Sequence, residues 1–254
     1  MDSINNLPEL VGCSSQEELS LTCYKPFDMI AHISLSIVIP ALNAAQTMRS
    51  TLVALQGGAD EILVIDGGST DGTVDIAKSA GAVVNVSDSG RGAQLQLGGQ
   101  KATGAWLLFL HADTKLGDNW GEVVCSFMSD PKNRARAAVF RFALDDPSPQ
   151  ARRIEKLVHW RSNVLGLPYG DQALLISREY YDMLGGYRPM PLMEDVDIVR
   201  RIGKKNLTAL DALAVTSAER YRQGGWWRRP LRNVFCLSLY LLGVPPLLLN
   251  KVYR

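Results

Sequence analysis

From Leu35 onward, apolar and polar positions alternate in blocks of two kinds. "LSIVIP", "EILVID", "AVVNVS" and "AWLLFLHAD" are short apolar runs bounded by glycine, proline or polar clusters, the pattern of buried parallel strands. Between them lie "ALNAAQTMRSTLVALQG", "TVDIAKSAG" and "GRGAQLQLGGQKATG". The first two predict helices, the first with Asn43 near its start and Gly57 near its end, and the third predicts a loop running into a helix. Strand and helix thus alternate at short intervals, which predicts an α/β domain with a mostly parallel sheet flanked by helices. Beyond residue 120, "ARAAVFRFAL" and "LTALDALAVTS" predict strands, and "QALLISREYYDMLGG" a strand followed by a helix. "PSPQARRIEKLVHWRSNVLG" and "EDVDIVRRIGKKN" predict helices. Residues 1 to about 32 are polar and weakly periodic, which predicts a loose extension with one short helix around Gln16 to Leu21.

Charge divides the chain more sharply than composition does. The net charge is +1, but residues 200–254 carry 11 bases and two acids, net +9, against −4 for residues 1–33. A near-neutral total argues against a dedicated nucleic-acid binder. The four cysteines, at 13, 23, 125 and 236, form no CxxC pair, so no zinc signature is present and reduced thiols in a cytosolic setting are expected. No basic segment leading into an apolar stretch marks a signal peptide.

In an open α/β sheet, ligands gather outside the carboxyl ends of the strands. Three polar clusters fall there: Pro40, Ala41 and Asn43; Asp66 with the turn through Asp71; and His111 with Asp113. If the strand of "WLLFLHAD" runs through the motif, His111 and Asp113 share one side of it. Asp113 then either holds a hard cation or caps the following turn. Asp66 either accepts hydrogen bonds from a base or ribose, or heads a βα turn; Asp71 reads better as a helix cap. Arg91, between glycines ahead of a helix, suits a diphosphate or is a solvated loop residue, with Gln94 one turn on. Gly170, Asp171 and Gln172 offer polar groups and close approach to a hydroxyl-rich ligand. Glu194 and Asp195 are acids at a helix start, where the dipole favours them, or one of them is a general base.

Together these segments resemble the family 2 glycosyltransferases of GT-A fold, over about residues 35–250. "SIVIPALNAAQTMRSTLVAL" is similar to that family's opening strand and helix, "EILVIDGGSTDGT" to its nucleotide-contacting turn, and "MEDVDI" to its ED motif. "WLLFLHAD" stands in the place of DxD, with His111 replacing the first Asp. The longer match is to a bacterial subfamily of uncharacterised family 2-like transferases. The resemblance implies a glycosyltransferase of hexosyl type that uses a nucleotide-sugar donor, a UDP-sugar foremost. It implies a divalent cation, Mn²⁺ or Mg²⁺, held by Asp113, and an inverting reaction with Asp195 as base. Pro40, Ala41, Asn43, Asp66, Arg91, Gln94, His111, Gly170, Asp171, Gln172 and Glu194 are the expected donor contacts. The QxxRW motif is not evident; "ERYRQGGWWRR" holds Arg220, Gln223 and Trp226 at other spacing, so a processive polymerase is not expected.

The expected organisation is an extension over residues 1–33, a GT-A domain over 34–227 and a basic, apolar helical tail over 228–254. The tail's apolar stretch from Val234 to Leu249 is broken by Pro245-Pro246 and is too short to span a bilayer. It either packs on the core or lies on a membrane surface, where a lipid-linked acceptor would be found, although a small-molecule acceptor is equally open. Two rivals stand. A sugar-phosphate nucleotidyltransferase would carry a glycine-rich loop after the first strand, which "IPALNAAQT" lacks. A non-catalytic membrane-associated binding protein of the same fold has no need of Asp113 and Asp195.

Overall fold

The strand predicted at the start is β1, Leu35–Ala41, and all seven of its residues are buried. The computed structural model describes residues 33–88 and 90–253; the short helix expected near residue 16 lies outside them. After β1 come α1 (Ala45–Val53), β2 (Glu61–Asp66), α2 (Thr73–Ser79), β3 (Val83–Val86), α3 (Arg91–Lys101) and β4 (Trp106–Phe109). Then follow β5 (Thr114–Leu116), α4 (Trp120–Ser129), β6 (Ala137–Leu144), α5 (Pro149–Trp160), β7 (Leu174–Ser177) and α6 (Arg178–Met183). The chain ends in α7 (Glu194–Ile202), β8 (Leu207–Thr216), α8 (Glu219–Gly224), α9 (Arg228–Leu241) and α10 (Pro246–Tyr253).

The strands join one sheet in the order β3-β2-β1-β4-β7-β6-β8-β5. The first four run parallel, as does the β6–β8 pair. The β4–β7, β6–β7 and β5–β8 pairs are antiparallel. Side chains alternate between two cores, as the pleat requires. Ile37 and Ile39 of β1 face a core closed by α1 and α4 through Met48, Leu52, Trp120 and Phe127. Val38 faces the other core, closed by α3, α6 and α7. There α3 lies so close to β1 that a Cβ on Gly98 would stand 2.2 Å from the Val38 methyl.

Several expectations shift. The fourth strand stops at Phe109 rather than running to Asp113. Its last link to β1 is the bond from the Leu110 amide to the Val38 carbonyl, 3.0 Å, and His111 to Asp113 form a turn leading into β5. Arg91 is the first residue of α3 rather than a loop residue ahead of it. The first helix ends at Val53, and the chain reaches Gly57 through a turn. The tail is a helical hairpin whose inner residues Cys236, Leu237 and Leu249 belong to the second core.

Candidate active site

The carboxyl ends of β1 and β2 are bound to each other before any ligand is considered. Asn43, held at φ 49°, donates its backbone N–H to Ser69 Oγ (2.9 Å) and accepts from the Thr70 amide through Oδ1 (2.9 Å). Asp71 accepts from the Thr73 hydroxyl and from the Thr73 and Ala45 amides. The Thr73 hydroxyl bond, foremost, lowers its carboxyl below the ordinary value, and this is the capping role expected of Asp71. Pro40 and Ala41 are buried within the strand, so only their backbone faces the loop. Gln94 is buried and its amide nitrogen donates to the Ala41 and Ile65 carbonyls, 2.7 Å each. Expected as a donor contact, Gln94 is instead a clamp fixing α3 to the ends of β1 and β2. Asp66 differs from these. It is 3% exposed, its Oδ2 accepts from the Gly68 and Ser69 amides, and its buried Oδ1 has no partner among the described residues.

A second set of groups gathers around the start of α7. Gly92 is packed on backbone 188–190, where a Cβ would stand 2.4 Å from the Met190 carbonyl oxygen. That contact brings Arg91 to the acids of α7. Its Nε bonds Glu194 Oε1 and its Nη2 donates to Asp195 Oδ2 at 3.2 Å. Burial works against the guanidinium charge, but Glu194 and Asp195 outweigh it and hold Arg91 protonated. Glu194 is 1% exposed and does not line the cavity described next; it backs Arg91 rather than meeting a ligand. Burial raises its carboxyl, against the pull of Arg91. Asp195 is 6% exposed, and its second oxygen, Oδ1, has no partner among the described residues. A carboxylate with one oxygen tied by Arg91 keeps the other for a ligand's hydrogen.

Across from α7 stands the turn after β4. His111 has no partner among the described residues for its buried Nε2, and burial first, then the Arg91 charge, lowers its pKa to about 4. It is therefore a neutral imidazole near pH 7. Asp113 forms an ion pair with Arg220 Nη2 at 3.4 Å, and its carbonyl accepts from the Ser217 amide. Gly170 sits between the two sides. A Cβ there would lie 2.4 Å from His111 Nε2 and 2.8 and 2.9 Å from the Asp195 oxygens. Asp171, next in the chain, has a buried Oδ1 without a partner among the described residues, and burial, with Asp195 and Asp113 adding to it against Arg161, pushes its carboxyl up to about 6.

Arg91, His111, Asp171 and Asp195 line one cavity of about 110 Å³. Its other walls were not expected from the sequence: Thr216 and Ser217 at the end of β8, Arg220 of α8, Asn233 of α9 and Tyr253 of α10. The basic tail is thus part of the site's wall. Gln172, expected beside Asp171, turns the other way. Its amide donates to the Phe140 carbonyl (3.1 Å), its Oε1 accepts from Ser162 (2.6 Å), and it lines a second, larger cavity of about 270 Å³. That larger cavity contains neither His111 nor Asp195, and Asp113 lines neither cavity, so size does not identify the site; the orphaned polar atoms do.

Among the described residues, no group of three or more His, Cys, Asp or Glu could hold a divalent ion by itself. The Asp113 carboxylate, paired with Arg220, and His111 Nε2, without a partner among the described residues, have the donor chemistry for at most two ligands to an ion that brings most of its coordination with it.

The family model for glycosyl transferase family 2 matches residues 36–190. The chain belongs to glycosyl transferase family 2. A "PGL/p-HBAD biosynthesis glycosyltransferase" of Mycobacterium tuberculosis is 41% identical over 91 residues, covering 32% of this chain and 36% of that protein. "Glycosyltransferase AglJ" of Haloferax volcanii is 29% identical over 155 residues, covering 60% and 48%. The chain thus spans between a third and a half of the length of these curated relatives. Among solved structures, glucosyl-3-phosphoglycerate synthase from Mycobacterium tuberculosis, in complex with Mn²⁺, UDP and glucosyl-3-phosphoglycerate, superposes with a TM-score of 0.56 at 20% identity, covering 88% of both chains. The mannosyltransferase PcManGT from Pyrobaculum calidifontis, with GDP-Man and Mn²⁺, gives 0.60 at 16% identity, covering 86% and 67%. The fold of this family 2 chain is the GT-A fold.

Proposed function

We propose that this protein transfers a sugar from a nucleotide-sugar donor to an acceptor hydroxyl with inversion, and that Asp195 is the base. The observation that carries the reading is the free, buried Oδ1 of Asp195, set across Gly170 from His111 and on the same cavity. In this reaction the Asp195 carboxylate takes the proton of the acceptor hydroxyl. The acceptor oxygen attacks the anomeric carbon from the face opposite the diphosphate, and the bond from that carbon to the diphosphate oxygen breaks. Arg91, tied to Asp195 Oδ2, orients the carboxylate so that Oδ1 is the oxygen that meets the acceptor. Asp66, with its free Oδ1, accepts from the nucleoside, a uridine foremost, and the Asn43–Thr70 link fixes the loop against which that nucleoside rests.

Asp113 and His111 are the residues that would hold the divalent cation, Mn²⁺ or Mg²⁺. Such an ion, when bound, neutralises charge on the departing diphosphate. Relatives in solved structures that carry Mn²⁺ with UDP or GDP-Man support this part of the reading. The setting inferred is cytosolic, with a peripheral membrane contact through α9 and α10; among the described residues, no helix is long and apolar enough to cross a membrane.

Calorimetry with UDP tests the donor side. The wild type should bind UDP with Mn²⁺ and lose most of that affinity when chelator is added. Equal affinity in both conditions would refute the metal-dependent donor site.

A further inference from the structure

The hairpin of α9 and α10 is apolar on two sides, and only one of them is used by the fold. Asn233, Cys236, Leu237 and Tyr240 of α9, spaced at i, i+3, i+4 and i+7, face inward: Cys236, Leu237 and Tyr240 onto the core and Asn233 onto the cavity. The opposite stripe is apolar as well and open to solvent. Trp227 (57% exposed), Leu231, Phe235 and Leu242 (82%) recur along it at spacings of four, four and seven residues. Leu247, Leu248 and Val252 of α10 are exposed as well. An exposed apolar stripe of this kind marks an interaction surface. Its charged neighbours are basic: Arg228, Arg232 and Lys251 are exposed, and residues 200–254 carry net +9.

We propose that this outer face docks on an anionic lipid surface, so that the acceptor enters the cavity as the hydroxyl-bearing headgroup of a membrane amphiphile. The acceptor half of the inference rests on the glycosyltransferase reading; the docking half does not. Charge decides the occupant. A second copy meeting this face through a two-fold axis would bring Arg228, Arg232 and Lys251 of both copies to one seam, whereas an anionic bilayer complements them. Apolar residues on one side with Arg and Lys at the margin is the arrangement of a helix that lies in the interface rather than crossing it. The cavity is then next to the bilayer. Asn233, whose buried Oδ1 has no partner among the described residues, and Tyr253 line it from the inner side of the same two helices. Arg232 stacks on Tyr253 at 4.5 Å, joining the helices across that wall.

The test is co-sedimentation of the full chain with vesicles of phosphatidylglycerol in phosphatidylcholine, and with phosphatidylcholine alone, in parallel with UDP calorimetry without vesicles. The wild type should pellet with the anionic vesicles and stay in solution with the neutral ones, and binding should weaken as salt shortens the screening length to about 10 Å at 0.1 M. Arg228→Gln with Lys251→Gln should weaken binding about fivefold per lost charge. Phe235→Ser with Leu242→Ser should abolish it while UDP affinity stays at the wild-type value, which separates loss of docking from loss of the donor site. Brominated lipid should quench fluorescence in the wild type and less in Trp227→Phe. Docking is overturned if the wild type remains in the supernatant with anionic vesicles, or if Phe235→Ser with Leu242→Ser pellets as the wild type does. A dimer in sedimentation analysis that this double variant dissolves would also overturn it, by making a second copy the occupant. Failure of UDP binding with docking intact would remove the acceptor half alone.

Discussion

Replacing Gly170 by alanine should silence the enzyme while leaving it folded. The added Cβ would stand 2.4 Å from His111 Nε2 and 2.8 Å from the nearer Asp195 oxygen. An ordinary contact begins near 3.4 Å, so the imidazole must retreat by about 1 Å and the carboxylate by roughly half that. Both line the cavity, so they can yield only into the space they share, and Asp195 is in addition fastened to Arg91. Overpacking of this size costs about 1–3 kcal/mol, which in a domain of this length lowers Tm by about 2–4 °C per kcal/mol. The catalytic loss is larger, because a misplacement of about 1 Å at a reacting group costs on the order of 10²-fold. The assay is release of nucleoside diphosphate from a nucleotide-sugar, read beside thermal melting. Gly121 in α4 is the control, since a Cβ there meets nothing within 4 Å; Gly121→Ala should keep full activity and gain a little helix stability. A Gly170→Ala variant with wild-type turnover would refute the claim that His111 and Asp195 act across this gap.

Other outcomes follow from the same geometry. Asp113→Asn should remove the dependence of UDP binding on Mn²⁺ with the melting curve nearly unchanged, and a variant still answering to chelator as the wild type does would place the ion elsewhere. Asp171 has a folded-state pKa raised to about 6 by burial first, so it favours the fold when protonated, and that contribution fades as pH rises through 6. Asp171→Asn in chelator should therefore gain on the wild type as pH rises from about 4 to about 6 and hold that gain above it, and a difference that does not change across that window would contradict it. Gln94→Ala should destabilise, since it removes one donor from each of the Ala41 and Ile65 carbonyls, with Ala41 keeping the Gly67 amide, at about 1 kcal/mol per lost bond; loss of UDP affinity with unaltered melting would instead make Gln94 a ligand contact.

What could be read from the chain alone depended on how local the cause was. The strands from β1 to β4 stand out because each is a short apolar run closed by turn residues, and their order follows from the handedness of βαβ units. The family resemblance came through the same segments. The end of β4 is not legible in the sequence because it is set from outside: the Thr51 hydroxyl donates to the Ala112 carbonyl, and β5 pairs with β8 a hundred residues later, so the turn holding His111 and Asp113 answers to partners no window contains. Arg91 and Glu194 lie 103 residues apart, and nothing in either segment announces the pairing that turns Glu194 from a ligand contact into a support. Asp171 and Gln172 are neighbours facing different cavities, a consequence of the tight turn at Gly170–Gln172. In the tail, helices apolar on both sides give no signal of which side meets the core, so Asn233 and Tyr253 could not be placed at the site.

The claim on which the rest depends is that Asp195 acts on the acceptor and not on the donor. It is tested by measuring turnover and donor affinity together for Asp195→Asn, across a panel of UDP- and GDP-sugars with Mn²⁺ present. The account predicts donor affinity close to the wild type and turnover lower by about 10²-fold or more, the range for loss of a general base. Turnover equal to the wild type would contradict it, and so would a loss confined to donor affinity.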